Sequence, residues 1–288
     1  MANDQFLDIY SGPYQARNTF LTTENMDKYD KILEEAETTE QKNTEILNRI
    51  KKLRLALEFV HFEQSKFYGK DKHGMFIEDE KGNKIVKKGL TERVQKFSEA
   101  SQELGIYELS EGGLSPKGYY EEWLKICKNA TNHLGGNLKV NYIETPEKDY
   151  QGKGSYSLVD GVRGYHDFNI NWIGWYGKNP EFELVTNNLN FKKLRINFLE
   201  DQRHWIFKPK EIIISGLENK KWKTITTYNF DAFEEDYIIS ILPWQSQEFN
   251  FKKFSKIKIK IINHNELPSW RYRKNKKCMI MIDEIELY

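Results

Sequence analysis

Cysteine is almost missing from this chain: Cys127 and Cys278, one in each half, are the only two in 288 residues. Two thiols make no disulfide framework, and their separation is not that of a zinc site, so both are expected to be buried free thiols. Long apolar runs are missing too. No stretch of about 18 apolar residues occurs, so the pattern encodes no membrane span. The first residues, MANDQFLDIYSGPYQ, lack the cationic stretch and apolar run of a secretory signal. That lack assigns no compartment, because a segment cut from a longer precursor would also be without its leader. An excess of one charge is absent as well. With 44 basic and 43 acidic side chains, no global field draws the chain to nucleic acid or an anionic membrane, and neither is an expected partner. Catalytic signatures are equally wanting: the six histidines show no HExxH or other paired-ligand spacing, and no GxSxG, Walker or GxGxxG element is present.

What is present is a globular composition, 39% hydrophobic and 14% aromatic, over a length that suggests two domains. The first half is rich in Glu, Lys and Leu. Helix-start signals stand at Thr22 and Thr23 before Glu24 and at Thr91 after Gly89. The clearest helix is predicted over 39–67, where Ile46, Ile50, Leu53, Leu57 and Val60 recur at spacings of four and three. Others are predicted over 26–36, 90–104 and, after Pro116, 119–130. These stripes are read as packing between helices rather than as a cofactor site. Two short strand-like runs around Lys81-Gly82-Asn83 predict a small hairpin near 75–87.

The texture changes over 132–154, where NHLGGN and TPEKDYQGKG supply breakers and charge without helical periodicity, and the domain boundary is expected there. Beyond it, strands are predicted over 182–185, 193–198, 211–215, 223–228, 237–242, 256–262 and 279–287. Residues 256–261 alternate Lys and Ile strictly, which predicts a strand with one buried face. The expected architecture is α+β and multidomain: an α-helical bundle region over 1–145, then an antiparallel β-sandwich over 151–288.

Within the second half stand, in order, Leu158-Val159-Asp160-Gly161, Trp172-Ile173-Gly174-Trp175, Asn197-Phe198-Leu199-Glu200-Asp201 with Trp205-Ile206 and Pro209, Leu267-Pro268-Ser269-Trp270, and Ile282-Asp283-Glu284-Ile285. This series resembles the galactose-binding-like (discoidin, F5/8 type C) domain appended to bacterial β-hexosaminidases, over roughly residues 155–288. More weakly, Phe20-Leu21-Thr22-Thr23-Glu24-Asn25, Tyr29, Ala36 and Arg54-Leu55-Ala56-Leu57-Glu58 make the helical half similar to a segment following the barrel in a bacterial family related to glycoside hydrolases. The resemblance implies a jelly-roll sandwich and a non-catalytic C-terminal region of an exported glycan-processing protein, its catalytic barrel lying upstream. Residues 1–150 offer almost no strand from which such a barrel could be built.

With 43 acids, candidate carboxylate pairs are always available, and those here fall on helix faces and in turns, where a solvated role is the simpler reading. Related sandwiches often hold a structural calcium between the Asp-Gly loop and the last strand, which makes Asp160 and Glu284 the candidate ligands. The threonine usual in that loop is absent. Arg163 could instead neutralise an acid, and an Asp-Gly turn needs no ion. For carbohydrate, flat aromatics and planar polar groups on sandwich loops are the useful types. They nominate Arg163, Tyr165 and His166 in one loop, His204 and Trp205 in another, and Trp175; Trp244 and Trp270 also stand near predicted turns. Trp172 and Trp175 read equally as core anchors. Three functions follow: a glycan-binding accessory region, a structural module that packs on the barrel or another partner, and, least supported, a self-sufficient hydrolase with paired carboxylates in one pocket.

Overall fold

The structure, a computed structural model, describes residues 12–13, 15–68, 74–80, 84–110, 113–136, 138–264 and 266–288. They form two compact units that divide between Lys128 and Asn129.

The first unit contains α1 (Thr23–Thr39), α2 (Thr44–Tyr68), α3 (Leu90–Glu103) and α4 (Pro116–Ile126). Thr22 caps α1 by accepting the Asn25 N–H at 3.3 Å, and Ser115 caps α4 by accepting from Gly118 at 3.0 Å, with Pro116 at the first helical position. The predicted 39–67 helix begins later than expected. Residues 40–43 interrupt it, and Asn43 Oδ1 accepts the Ile46 N–H to start α2 afresh. The expected stripe is also corrected: Ile50 and Leu57 are buried, but Leu53 is 61% exposed, and Leu55 and Phe62 point inward instead. Phe59, Phe62, Phe97, Tyr119 and Trp123 form the centre, with the centroids of neighbouring rings 5.2–6.3 Å apart. Beside them lies Lys66, only 4% exposed, paired to Glu63 at 2.6 Å, and Glu63 also accepts from the Tyr119 hydroxyl at 2.7 Å. The expected hairpin is present as antiparallel β1 (Phe76–Glu78) and β2 (Lys84–Val86); its turn, residues 81–83, lies outside the described residues. No helix among the described residues is long and apolar enough to cross a membrane.

The second unit is two antiparallel sheets around one core. Its strands are β3 (Lys139–Tyr142), β4 (Ile173–Tyr176), β5 (Glu181–Val185), β6 (Leu194–Glu200), β7 (Glu211–Glu218), β8 (Lys221–Asn229), β9 (Ser240–Gln245), β10 (Lys256–Ile262) and β11 (Met279–Leu287). One sheet has the order β3-β5-β10-β7-β8 and the other β4-β11-β6-β9. Residues of both sheets meet in the core, among them Trp175, Phe182, Ile196, Phe198, Ile212, Ile214, Ile259 and Ile282. Strand β10 behaves as its alternation demands: Ile257, Ile259 and Ile261 are buried, while Lys256 reaches Glu183 at 2.8 Å and Lys260 reaches Glu181 at 3.4 Å across the outer face. Strand β11 departs from alternation, because all nine residues are buried, including Asp283, Glu284 and Glu286.

Strands β3 and β4 were not expected. The first lies in the breaker-rich stretch and pairs with β5, so the sandwich unit begins before the expected 145–151 boundary. Strand β9 sits three residues later than its predicted span. Cys278 is buried as expected, whereas Cys127 is half-buried; both are free.

Candidate functional site

The loop that follows Asp160 is built around the acids of β11. Asp160 Oδ1 accepts the Val162 N–H at 3.0 Å, which lets Gly161 take a positive φ of 78° and turn its N–H onto Glu284 Oε1 at 2.9 Å. Gly164 donates its N–H to Asp283 Oδ2 at 2.9 Å and lies so close to the Trp172 indole that an added Cβ would stand 2.2 Å from it. Asp283 also accepts from Asn197 Nδ2 at 3.2 Å and from the Glu284 N–H. Burial nevertheless pushes its carboxyl up to about 7, against the lowering effect of those donors.

Arg163 faces inward from this loop. Its guanidinium grips Glu286 with Nε and Nη2 at 2.5 and 2.8 Å and reaches Thr131 Oγ1 at 3.4 Å. Burial alone would raise Glu286, but Arg163 and the Tyr288 hydroxyl hold it below its ordinary value, and Glu286 in turn raises Arg163. The expectation of a sugar contact at Arg163 is therefore replaced by a structural one: it neutralises a buried acid, the alternative its sequence position had left open. Trp175 is likewise a core residue. It is wholly buried, donates Nε1–H to Glu144 O at 2.9 Å, and meets Tyr142 edge to face at 5.9 Å, so no ring face is open to a ligand. Tyr165 and the exposed His166 stack on each other at 5.2 Å near the tip of the loop, away from neither solvent nor chain constraint: the Tyr165 carbonyl accepts from Trp172 Nε1.

The two acids nominated for calcium are already engaged by cationic or donating groups of the chain. Asp160 Oδ2 lies 2.5 Å from Lys153 Nζ. Glu284 Oε1 lies 2.7 Å from His133 Nε2, and because His133 Nδ1 accepts the Gly135 N–H at 3.0 Å, the proton sits on Nε2 and is donated to Glu284. Calcium needs six to eight oxygen ligands. Asp160 and the Oε1 of Glu284 thus have partners within the chain, and no cluster of three His, Cys, Asp or Glu suited to a metal exists among the described residues.

His204 and Trp205, by contrast, line an open groove. Residues 201–206 fold back tightly: Asp201 and Ile206 exchange two backbone hydrogen bonds at 3.0 and 3.1 Å, and Asp201 Oδ2 takes the His204 Nδ1 at 2.6 Å. Trp205 is held at a positive φ of 63° and its carbonyl accepts the Met279 N–H at 2.8 Å. The groove that results has a volume of about 400 Å³. Ile206, Met279 and Met281 make its floor; Tyr150, Phe168, Tyr176 and Trp205 make its walls; Glu147, Asp149, Arg203 and His204 are its charged or polar groups. Phe168 stands 4.8 Å from the His204 ring and 6.2 Å from that of Tyr150. Burial, with Asp149 and Asp167 nearby, raises the Tyr150 phenol above its usual value. Sequence reasoning had named two of these residues. Phe168 was signalled by its place just after the nominated loop and Arg203 by its place beside His204, whereas Tyr150, Tyr176 and the methionines carried no signal.

The groove's two carboxylates belong to one short segment, and Glu147 is paired to Lys178 at 3.1 Å. Glycosidic chemistry needs an acid on each side of the bond. In the helical unit a cavity of about 330 Å³ is bordered by Asp27, Asp30, His61 and Arg93, but Asp30 is tied to His61 at 2.9 Å and to Arg54, and Arg93 to Glu58. These are closed charge pairs.

No family model matches the sequence, and no curated protein matches it. Solved structures similar to the chain include a fucose-binding module of Streptococcus pneumoniae (11% identity, 55% of this chain and 97% of that one, TM-score 0.34). Others are the family 32 carbohydrate-binding module of NanJ from C. perfringens in complex with galactose (11%, 52% and 92%, TM-score 0.32) and the C-terminal domain of a chitobiase from Bacteroides fragilis (16%, 55% and 97%, TM-score 0.31). At such identities and TM-scores, ligand and site have to be read from the residues of this chain.

Proposed function

We propose that the sandwich unit binds carbohydrate in the aromatic groove, without chemistry of its own, as an accessory part of an exported glycoside-hydrolase-like protein. The observation that carries this reading is the composition of the groove: four aromatic walls over an apolar floor, with polar groups at the edge, in a volume ordinary for a small-ligand site. Pyranose rings present an apolar face that stacks on such walls and hydroxyls that take hydrogen bonds from groups such as His204. Asp201 fixes the His204 ring by its Nδ1, leaving Nε2 for a ligand.

The test is a glycan array that includes fucose, galactose and N-acetylgalactosamine, followed by calorimetry of any hit against Trp205→Ala and Phe168→Ala. Each aromatic deletion is expected to weaken binding by about tenfold or more. Silence of the wild type across the array, or a hit untouched by both variants, would sink the reading.

A second reading, that the chain packs on a catalytic barrel or another protein, has its own observation. Tyr29 and Ile32 of α1 and Leu53 of α2 are exposed large hydrophobics of the helical unit. Ile32→Glu with Leu53→Glu is expected to leave glycan binding unchanged while abolishing any co-purifying assembly.

A further inference from the structure

We infer that the ligand of the groove is an anionic glycan, one carrying carboxylate or sulfate groups, gripped by the basic segment 271–277; this rests on the carbohydrate reading above. Five of those seven residues are cations, and no carboxylate occurs between Glu266 and Asp283, in a chain whose overall charge is only +1. The cations are concentrated here, and the acidic run Glu234-Glu235-Asp236, held beside them by Gln202 and Tyr237, forms no ion pair with them. Arg203, Arg271, Arg273, Lys274, Lys276 and Lys277 form no ion pair with any described carboxylate, although the neighbouring lysines of β10 and Lys178 all do. Solvent-facing cations left without partners on one edge raise the local concentration of anions.

The segment is fastened to the wall of the groove. Lys276 Nζ lies 5.1 Å above the Trp205 ring, Lys277 takes the Tyr176 hydroxyl onto its N–H at 2.9 Å, and Arg271 binds the carbonyls of Gln202 and Arg203 at 3.0 and 2.5 Å. Arg203 and Arg271 flank the Tyr237 ring at 6.0 and 5.8 Å. Trp205 and Tyr176, which take a sugar face, are thus the same residues on which the cations rest. Glu147 is paired to Lys178 while Asp149 also lines the groove, so positive charge is concentrated at Arg203 and on the adjoining segment 271–277, and a bound glycan would place its anionic substituents there. An acidic polysaccharide fits this combination better than a nucleic acid or membrane, because the cations border a narrow aromatic groove and not an extended basic face.

Retention on immobilised heparin (sulfate), polygalacturonate (carboxylate) and neutral dextran or galactan tests this with the full chain. The wild type is expected on one or both anionic matrices, and the matrix that retains it identifies the group. Arg273→Glu with Lys274→Glu, both exposed, should weaken that retention by about tenfold or more, and Trp205→Ala should weaken it as well, while Lys51→Glu with Lys52→Glu, the same charge change on α2, leaves it unchanged. Raising salt from about 0.05 to 0.5 M should weaken it further. Anionic retention unaffected by the 273/274 reversal, or independent of Trp205, overturns the inference. Retention on a neutral matrix alone, lost in Trp205→Ala, overturns it while the carbohydrate reading stands; no retention on any matrix removes both.

Discussion

Arg163→Ala separates a ligand role from a structural one, because the two predict different observables. The substitution leaves Glu286 buried, its two oxygens stripped of the paired N–H donors, with the Tyr288 hydroxyl still donating to it. Removing one partner of a buried ion pair costs about 3–5 kcal/mol. Arg163 keeps 29% of its side chain in solvent and Tyr288 still donates to Glu286, which points to the lower end, about 3 kcal/mol. In a unit of this size each kcal/mol lowers Tm by about 2–4 °C, so a fall of about 6–12 °C is expected by calorimetry at about pH 7. The deficit should shrink towards pH ~4, where the stranded carboxyl can take a proton and no longer needs a cation. Arg163→Met with Glu286→Leu should recover most of the loss, since the charge pair is then replaced by apolar volume. A Tm within about 2 °C of wild type, or glycan affinity lost at unchanged Tm, would refute the reasoning and return Arg163 to the ligand site.

Asp283 gives a pH dependence of definite sign. Its folded value, about 7, lies above the ordinary 3.8, so the folded state holds a proton that the unfolded chain releases; stability is greatest below about pH 4 and falls as pH rises to about 7, by about 4 kcal/mol for a shift of three units. Glu286, held low, acts in the opposite sense, so the comparison is wild type against Asp283→Asn by urea denaturation at several pH values; equal slopes in both would sink the assignment. With Asp160 paired to Lys153 and Glu284 to His133, addition of calcium or of chelator is expected to leave Tm unchanged, whereas Lys153→Ala lowers stability by about 1–3 kcal/mol through the stranded Asp160. A chelator-induced fall in Tm would show that an ion binds there after all.

The strands that were legible in the sequence are those whose burial follows a local rule. β10 was read end to end because Ile and Lys alternate and one sheet face is buried. β11 was read end to end for a different reason, as an apolar run bounded by turns, yet its acids were read as calcium ligands or went unread. Alternation would place Glu284 and Glu286 on one face and leave it wet; instead that face is covered by the loop 161–164 and His133, whose donors come from segments more than a hundred residues earlier. β3 escaped because its four residues sit among breakers and are held as a strand only by pairing with β5. In α2 the spacing of apolar residues was correct as a helix signal, but which side turns inward was decided by Phe59 and Phe62 meeting Phe97 and Tyr119, and that left Leu53 outside.

The same distinction explains which part of the site could be seen. His204 and Trp205 are adjacent, and a turn that joins a planar polar ring to a flat apolar one announces itself locally. Arg163 offers the identical chemistry in the identical kind of loop, and nothing within its loop reveals that a buried carboxylate awaits it on β11. Polar loop residues thus read alike whether they face a ligand or a buried countercharge, and only the partner decides. The groove itself is assembled from four separated segments, around residues 147–150, 168–176, 203–206 and 279–281. Three of them contribute Tyr150, then Phe168 and Tyr176, then Met279 and Met281, residues whose neighbours look like linker, loop or core. The basic run at 271–277 went unremarked because only the overall charge balance was weighed; its meaning comes from Trp205 and Tyr176 beneath it. A balanced total charge therefore says little about a ligand's charge when the cations are gathered in one segment beside an aromatic groove.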